Sequence, residues 1–178
     1  MAVFLIILSI LLWLAALAML PARTLYAPAL SYLGLVAISL AKSQGLQIIP
    51  VNSVILMTWL CMTVIVMLAT LMQPAGVRSS SAGSGYMIGG ALTGMMVGLL
   101  GFSFSSTLTM LYGIMVVATL VGTFFGFLLF SRTPAGAPWS VASGNFFRYL
   151  LAKGFPVAIT VMMIGIVAVI SLAIYNVH

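Results

Sequence analysis

The stretch Gly85–Phe130, GYMIGGALTGMMVGLLGFSFSSTLTMLYGIMVVATLVGTFFGFLLF, holds two long apolar segments joined by the short polar connector Ser103, Phe104, Ser105, Ser106. Gly90, Gly94 and Gly98 recur at every fourth position of the first segment, and Gly122 and Gly126 do the same in the second. On an α-helix that spacing lines the glycines up on one stripe, where the missing side chains let another backbone come close. The stretch therefore reads as a hairpin of membrane-packing helices. The competing use of such a stripe is to line a narrow path or a lipid groove.

Working outward, composition fixes the environment. The 178 residues are 64% hydrophobic and 3% charged, with a mean hydropathy of +1.34, six Lys plus Arg, and no Asp or Glu. Ordinary globular chains carry about 25% charged residues, so too little charge is present to solvate a water-soluble domain. The segments are apolar all round rather than alternating, which selects helices over transmembrane strands. The fold class expected is an all-α membrane protein: a polytopic bundle of about six transmembrane helices, or five if the second segment is re-entrant. The net charge of +6 is spread singly over the loops. That pattern argues against nucleic acid and for anionic lipid headgroups.

The chain divides as one integral membrane domain over 1–178. Three spans fill 1–73: Val3–Leu20, which lacks the positive start of a signal peptide; Ala29–Ala41, short at thirteen residues; and Val51–Met72. The run 74–85, rich in Ala, Gly and Ser around Arg78, reads as a flexible linker. The glycine hairpin follows at 86–130. The stretch 131–155 reads as a cytoplasmic amphipathic loop anchored by Trp139, and Pro156 opens a last span within 156–178. Matches at a 28-residue offset, such as Gly94 with Gly122 and Gly98 with Gly126, hint at a repeat, but a small apolar alphabet produces such matches by chance.

Cations set the orientation. With six spans and an outside N-terminus, Arg23, Arg78, Arg132, Arg148 and Lys153 fall on cytoplasmic loops and only Lys42 falls outside. Both termini are thus expected outside the cytoplasm, in the cytoplasmic (inner) membrane.

Absent residue types narrow the chemistry. Acid–base catalysis draws on carboxylates and histidines, yet carboxylate side chains are missing and the sole histidine, His178, reads as a solvated terminus. No Cys, His or carboxylate cluster offers a metal or haem site, and Cys61 alone allows no intrachain disulfide. No cofactor is expected, and an enzyme is the least favoured class. Hydroxyls in the spans ordinarily bond across helices or to their own backbone. Thr119 and Thr123, one turn apart beside Gly122 and Gly126, are the first candidates for a polar path. Two function classes remain. One is a structural or accessory subunit whose glycine stripes and thirteen methionines contact other integral membrane subunits or a second copy. The other is a small oligomeric channel or carrier for a neutral, anionic or lipid-like solute. Arg132, Arg148 and Lys153 form the expected docking face for lipid or partner.

Overall fold

The computed structural model describes residues 2–43, 53–100 and 108–175, and every regular element among them is helical. These are α1 (Ala2–Met19), α2 (Ala27–Ser43), α3 (Ser53–Leu71), the short α4 (Ala75–Ser79), α5 (Ser84–Leu100), α6 (Leu108–Ser131), α7 (Phe146–Tyr149) and α8 (Phe155–Tyr175). A π-helical turn, Leu150–Gly154, joins α7 to α8 without a break. The apolar runs are helical because each main-chain polar group then finds its partner inside its own segment, a requirement that becomes strict in lipid. Proline and glycine supply the stops. α1 ends just before Pro21, and α3 closes ahead of Gln73-Pro74.

Three helices are long and apolar enough to cross a membrane: Ser53–Leu71, Met110–Ser131, and the continuous Phe146–Val169. α1, α2 and α5 are shorter apolar helices. The second segment is one unbroken helix of 17 residues, about 26 Å long, because it takes in Ala27 and Pro28 ahead of Ala29, and Lys42 and Ser43 beyond Ala41. Proline is accepted there since the first turn needs no intrahelical N–H.

Neighbouring long helices run in alternate directions. Ser9 Oγ donates to Gly34 O (2.8 Å) and Trp13 Nε1 to Ser31 O (3.1 Å), which sets α1 antiparallel to α2. α2 runs parallel to α8, with Thr24 at Ala152 and Ser31 at Thr160, whereas Thr63 lies at Met163 and Thr70 at Leu151 in the antiparallel α3 and α8. α5 and α6 form an antiparallel hairpin on the same central helix. The hairpin is therefore not the hub. α8 is: Val157, Ala158, Val161, Met163 and Ile166 are all buried, with α2, α3, α5 and α6 packed around it.

Two expectations are corrected at the loop end. Residues 74–85 are not a loose linker. Their α4 buries Val77, Ser84 is buried, and the Ala82 carbonyl accepts a hydrogen bond from Tyr149 Oη. Gly83 takes a left-handed φ of 73° and packs directly on the Phe130 ring, which leaves no room for a side chain. Nor does 131–155 end where a span begins at Pro156. Helix starts at Phe146, and Pro156 sits inside a continuous rod. Tyr149 is fully buried at the centre of an aromatic cluster, with Trp139 at 4.7 Å and Phe127 at 5.5 Å between ring centroids. Aromatic packing thus fastens to the bundle a stretch whose composition reads as an amphipathic surface loop.

Candidate functional site

The site grows from one proline. Pro156 has no N–H to give the Ala152 carbonyl four residues earlier, and the π turn diverts the Phe155 N–H to Leu150 O. Carbonyls on this turn therefore need other donors, and two threonines supply them. Thr24 Oγ1, from the turn between α1 and α2, donates to Ala152 O at 3.3 Å. Thr70 Oγ1, from the end of α3, donates to Val66 O at 2.8 Å with Leu151 O at 3.5 Å. Both hydroxyls are buried, so these bonds offset main-chain desolvation that would otherwise be unfavourable.

Lys153 lies on the same π turn and is fully buried. Its Nζ donates to the main-chain carbonyl of Arg78 in α4 at 2.8 Å. The turn, α4, the end of α3 and the α1–α2 connection thereby converge. Between them lies a cleft of about 280 Å³ lined by Arg23, Thr24, Tyr26, Thr70, Arg78 and Ser79, with Ala22, Leu25 and Ala75. Nε of Arg78 is buried without a hydrogen-bond acceptor among the described residues.

The sequence-predicted residues fall in several places. Arg132 and Arg148 are exposed near the loop end, but Lys153 does not join them: it is inside, committed to Arg78. Lys153 is thus not available to the three-cation docking face expected from the sequence. The reason is that the π turn carries Lys153 inward, an effect loop composition does not encode.

Gly90, Gly94, Gly98, Gly122 and Gly126 come together in the seam of α5 and α6. A β-carbon on Gly90 would strike the Gly122 carbonyl, one on Gly94 the Ala118 carbonyl, and one on Gly126 the Tyr86 carbonyl. One on Gly98 would stand 2.6 Å from Met115 Cα, and one on Gly122 2.9 Å from Gly94 Cα. Such backbone contact is open only to small residues. Thr119 and Thr123 lie buried on α6, each donating to a carbonyl one turn back at 2.7 Å, Met115 O and Thr119 O respectively. Their protons are spent within their own helix.

A second row of small residues faces outward. Gly85, Gly89 and Thr93 are exposed on α5, and among the described residues nothing lies within 4 Å of a β-carbon placed on Gly85 or Gly89. They border an open groove of about 640 Å³ that also takes in Val97, Val121 and Phe125. A further apolar groove of about 480 Å³ separates α3 from α6. Among the described residues no three His, Cys, Asp or Glu side chains gather. Cys61 is exposed. The connector Ser103–Ser106, the Lys42 side chain and His178 lie outside the described residues.

Sequence reading gave Arg23 a role only in orientation, took Thr70 as an ordinary span hydroxyl, and passed over Thr24 and the inward role of Lys153. The available signal was the proline four residues after Ala152, which marks carbonyls in want of donors. Comparison with known proteins finds no family model that matches the chain, and no curated protein or solved structure that is similar to it.

Proposed function

We propose that this protein is a structural or accessory integral membrane subunit, without catalysis of its own, that acts through helix contacts within a larger membrane assembly. The observation that carries this reading is the outward row Gly85, Gly89, Thr93 beside its groove of about 640 Å³. The inward glycines close the hairpin and four of them, Gly90, Gly94, Gly122 and Gly126, also line this groove, while α5 keeps a second small-residue face on which another helix can approach closely. Each of the six main helices then crosses the bilayer once, both termini lie outside the cytoplasm, and the membrane is the cytoplasmic one. Alternating helix directions support the six crossings. The gathering of Arg23, Arg78, Arg132, Arg148 and Lys153 at one end, opposite Lys42, supports the orientation.

The test is purification in mild detergent at native expression, comparing wild type with Gly89→Leu. Gly89 faces open space, so the variant keeps its fold. The expected result is a stoichiometric membrane partner with wild type that is lost or strongly depleted with the variant. A wild-type protein that purifies alone and carries a solute at a physiological rate in liposomes overturns the reading.

A further inference from the structure

We infer that the cleft between the α1–α2 turn and α4 binds a phosphate group, held by Arg23 and Arg78. The inference goes beyond the accessory-subunit reading and does not rest on it. Two guanidinium residues line one cleft of about 280 Å³, ample for a phosphate, in a chain without a single Asp or Glu side chain to neutralise them. Structural arginines ordinarily meet carboxylates or carbonyls. Here Arg78 lines the cleft and its Nε is buried without an acceptor among the described residues, so the hydrogen-bonding capacity of this guanidinium is incompletely met.

The other polar groups of the wall sharpen the choice of ligand. The protons of Thr24 and Thr70 are committed to the carbonyls of the π turn and to Val66, and Ser79 Oγ turns to Gly76 O at 3.4 Å. Arg23, Arg78 and Tyr26 complete the polar lining, a set of donors that selects an anion. Lys153 is not part of the wall, but its ammonium holds the main-chain carbonyl of the lining Arg78 at 2.8 Å. A tetrahedral phosphate offers several acceptor oxygens to two forks, a match that a single-charge carboxylate fills less completely. The cleft sits at the cation-bearing end of the bundle beside the exposed Tyr26, the depth at which headgroup phosphates lie. The phosphodiester of a lipid headgroup and free phosphate share this chemistry, and the experiment separates them.

The full chain, purified in detergent, is followed by thermal unfolding with four additions at matched ionic strength: phosphatidylglycerol in mixed micelles, diacylglycerol, inorganic phosphate and acetate. The expected result is a midpoint rise of several degrees with a phosphate-bearing addition and none with diacylglycerol or acetate. A rise with phosphatidylglycerol alone assigns a lipid headgroup, and a rise with inorganic phosphate assigns the free anion. Arg23→Gln and Arg78→Gln should each weaken the effect about tenfold in half-saturating concentration, the usual worth of a lost charge-assisted hydrogen bond. Arg132→Gln, on the exposed loop, should leave it intact. If Arg78→Gln impairs folding, Arg23→Gln, on an exposed side chain, decides the matter alone. The inference is overturned if neither phosphate source raises the midpoint, if acetate serves equally, or if Arg132→Gln abolishes the effect as fully as Arg23→Gln.

Discussion

Lys153, wholly buried, reaches across from the π turn to donate to the main-chain carbonyl of Arg78 at 2.8 Å. A cation is thus spent on holding the α3–α5 connection against the central helix, and the aliphatic stem of the lysine fills the space between. Lys153→Ala should lower stability by about 1.5–3 kcal/mol for the charged hydrogen bond, and further for the void. Lys153→Met, which refills the volume but not the bond, should fall between alanine and wild type. Thermal unfolding in detergent reads the series. Equal midpoints for all three proteins would show that the contact does not hold the bundle.

The two glycine rows of α5 give a paired prediction. Gly94→Ala drives a methyl into the Ala118 carbonyl, whereas Gly89→Ala meets nothing within 4 Å. The first should cost about 1–3 kcal/mol by overpacking, and the second should cost almost nothing beyond a small gain in helix propensity. Both variants are compared by unfolding midpoint in the same detergent. If Gly94→Ala is as stable as Gly89→Ala, α5 and α6 are not in backbone contact.

Pro156 and Thr24 should be energetically coupled. Thr24→Val leaves Ala152 O without its hydroxyl donor, at about 1 kcal/mol in the wild-type background. With Pro156→Ala the helix regains an N–H for that carbonyl, so the same threonine substitution should then cost less. A double-mutant cycle measures the difference. Strict additivity would sever the link between the proline and the threonine.

The orientation is testable with single cysteines in a Cys61→Ser background. Ser81 and Ala142 are exposed at the cation-bearing end and suit the purpose. In intact cells, a membrane-impermeant thiol reagent should leave Ser81→Cys and Ala142→Cys unlabelled from outside and should modify both after permeabilisation. Labelling of either in intact cells reverses the assignment.

The sequence by itself determined the helical class and the neighbourhood of two helix breaks, because apolar runs of this length admit few other ways to satisfy the main chain and because Pro21 and Pro74 close the segments before them, whereas Pro28 and Pro156 lie within helices. It also determined which faces of α5 and α6 are bare, since a spacing of four residues fixes a stripe whatever the partner. Tertiary structure alone decided which helix is central. Of the three long apolar helices, α3 is the most apolar and the least buried, and the Phe146–Val169 helix is the reverse. In a membrane protein apolarity answers to lipid as much as to core, so hydropathy loses the inside-to-outside meaning it has in water. Tertiary structure also decided the fate of the cations. Arg148 and Lys153 are five residues apart on one helical rod, yet one is exposed and the other has no accessible surface. A π turn widens the helix between them and a proline frees its carbonyls, and only the arrival of α3, α4 and the α1–α2 turn against that spot converts the local irregularity into a cleft.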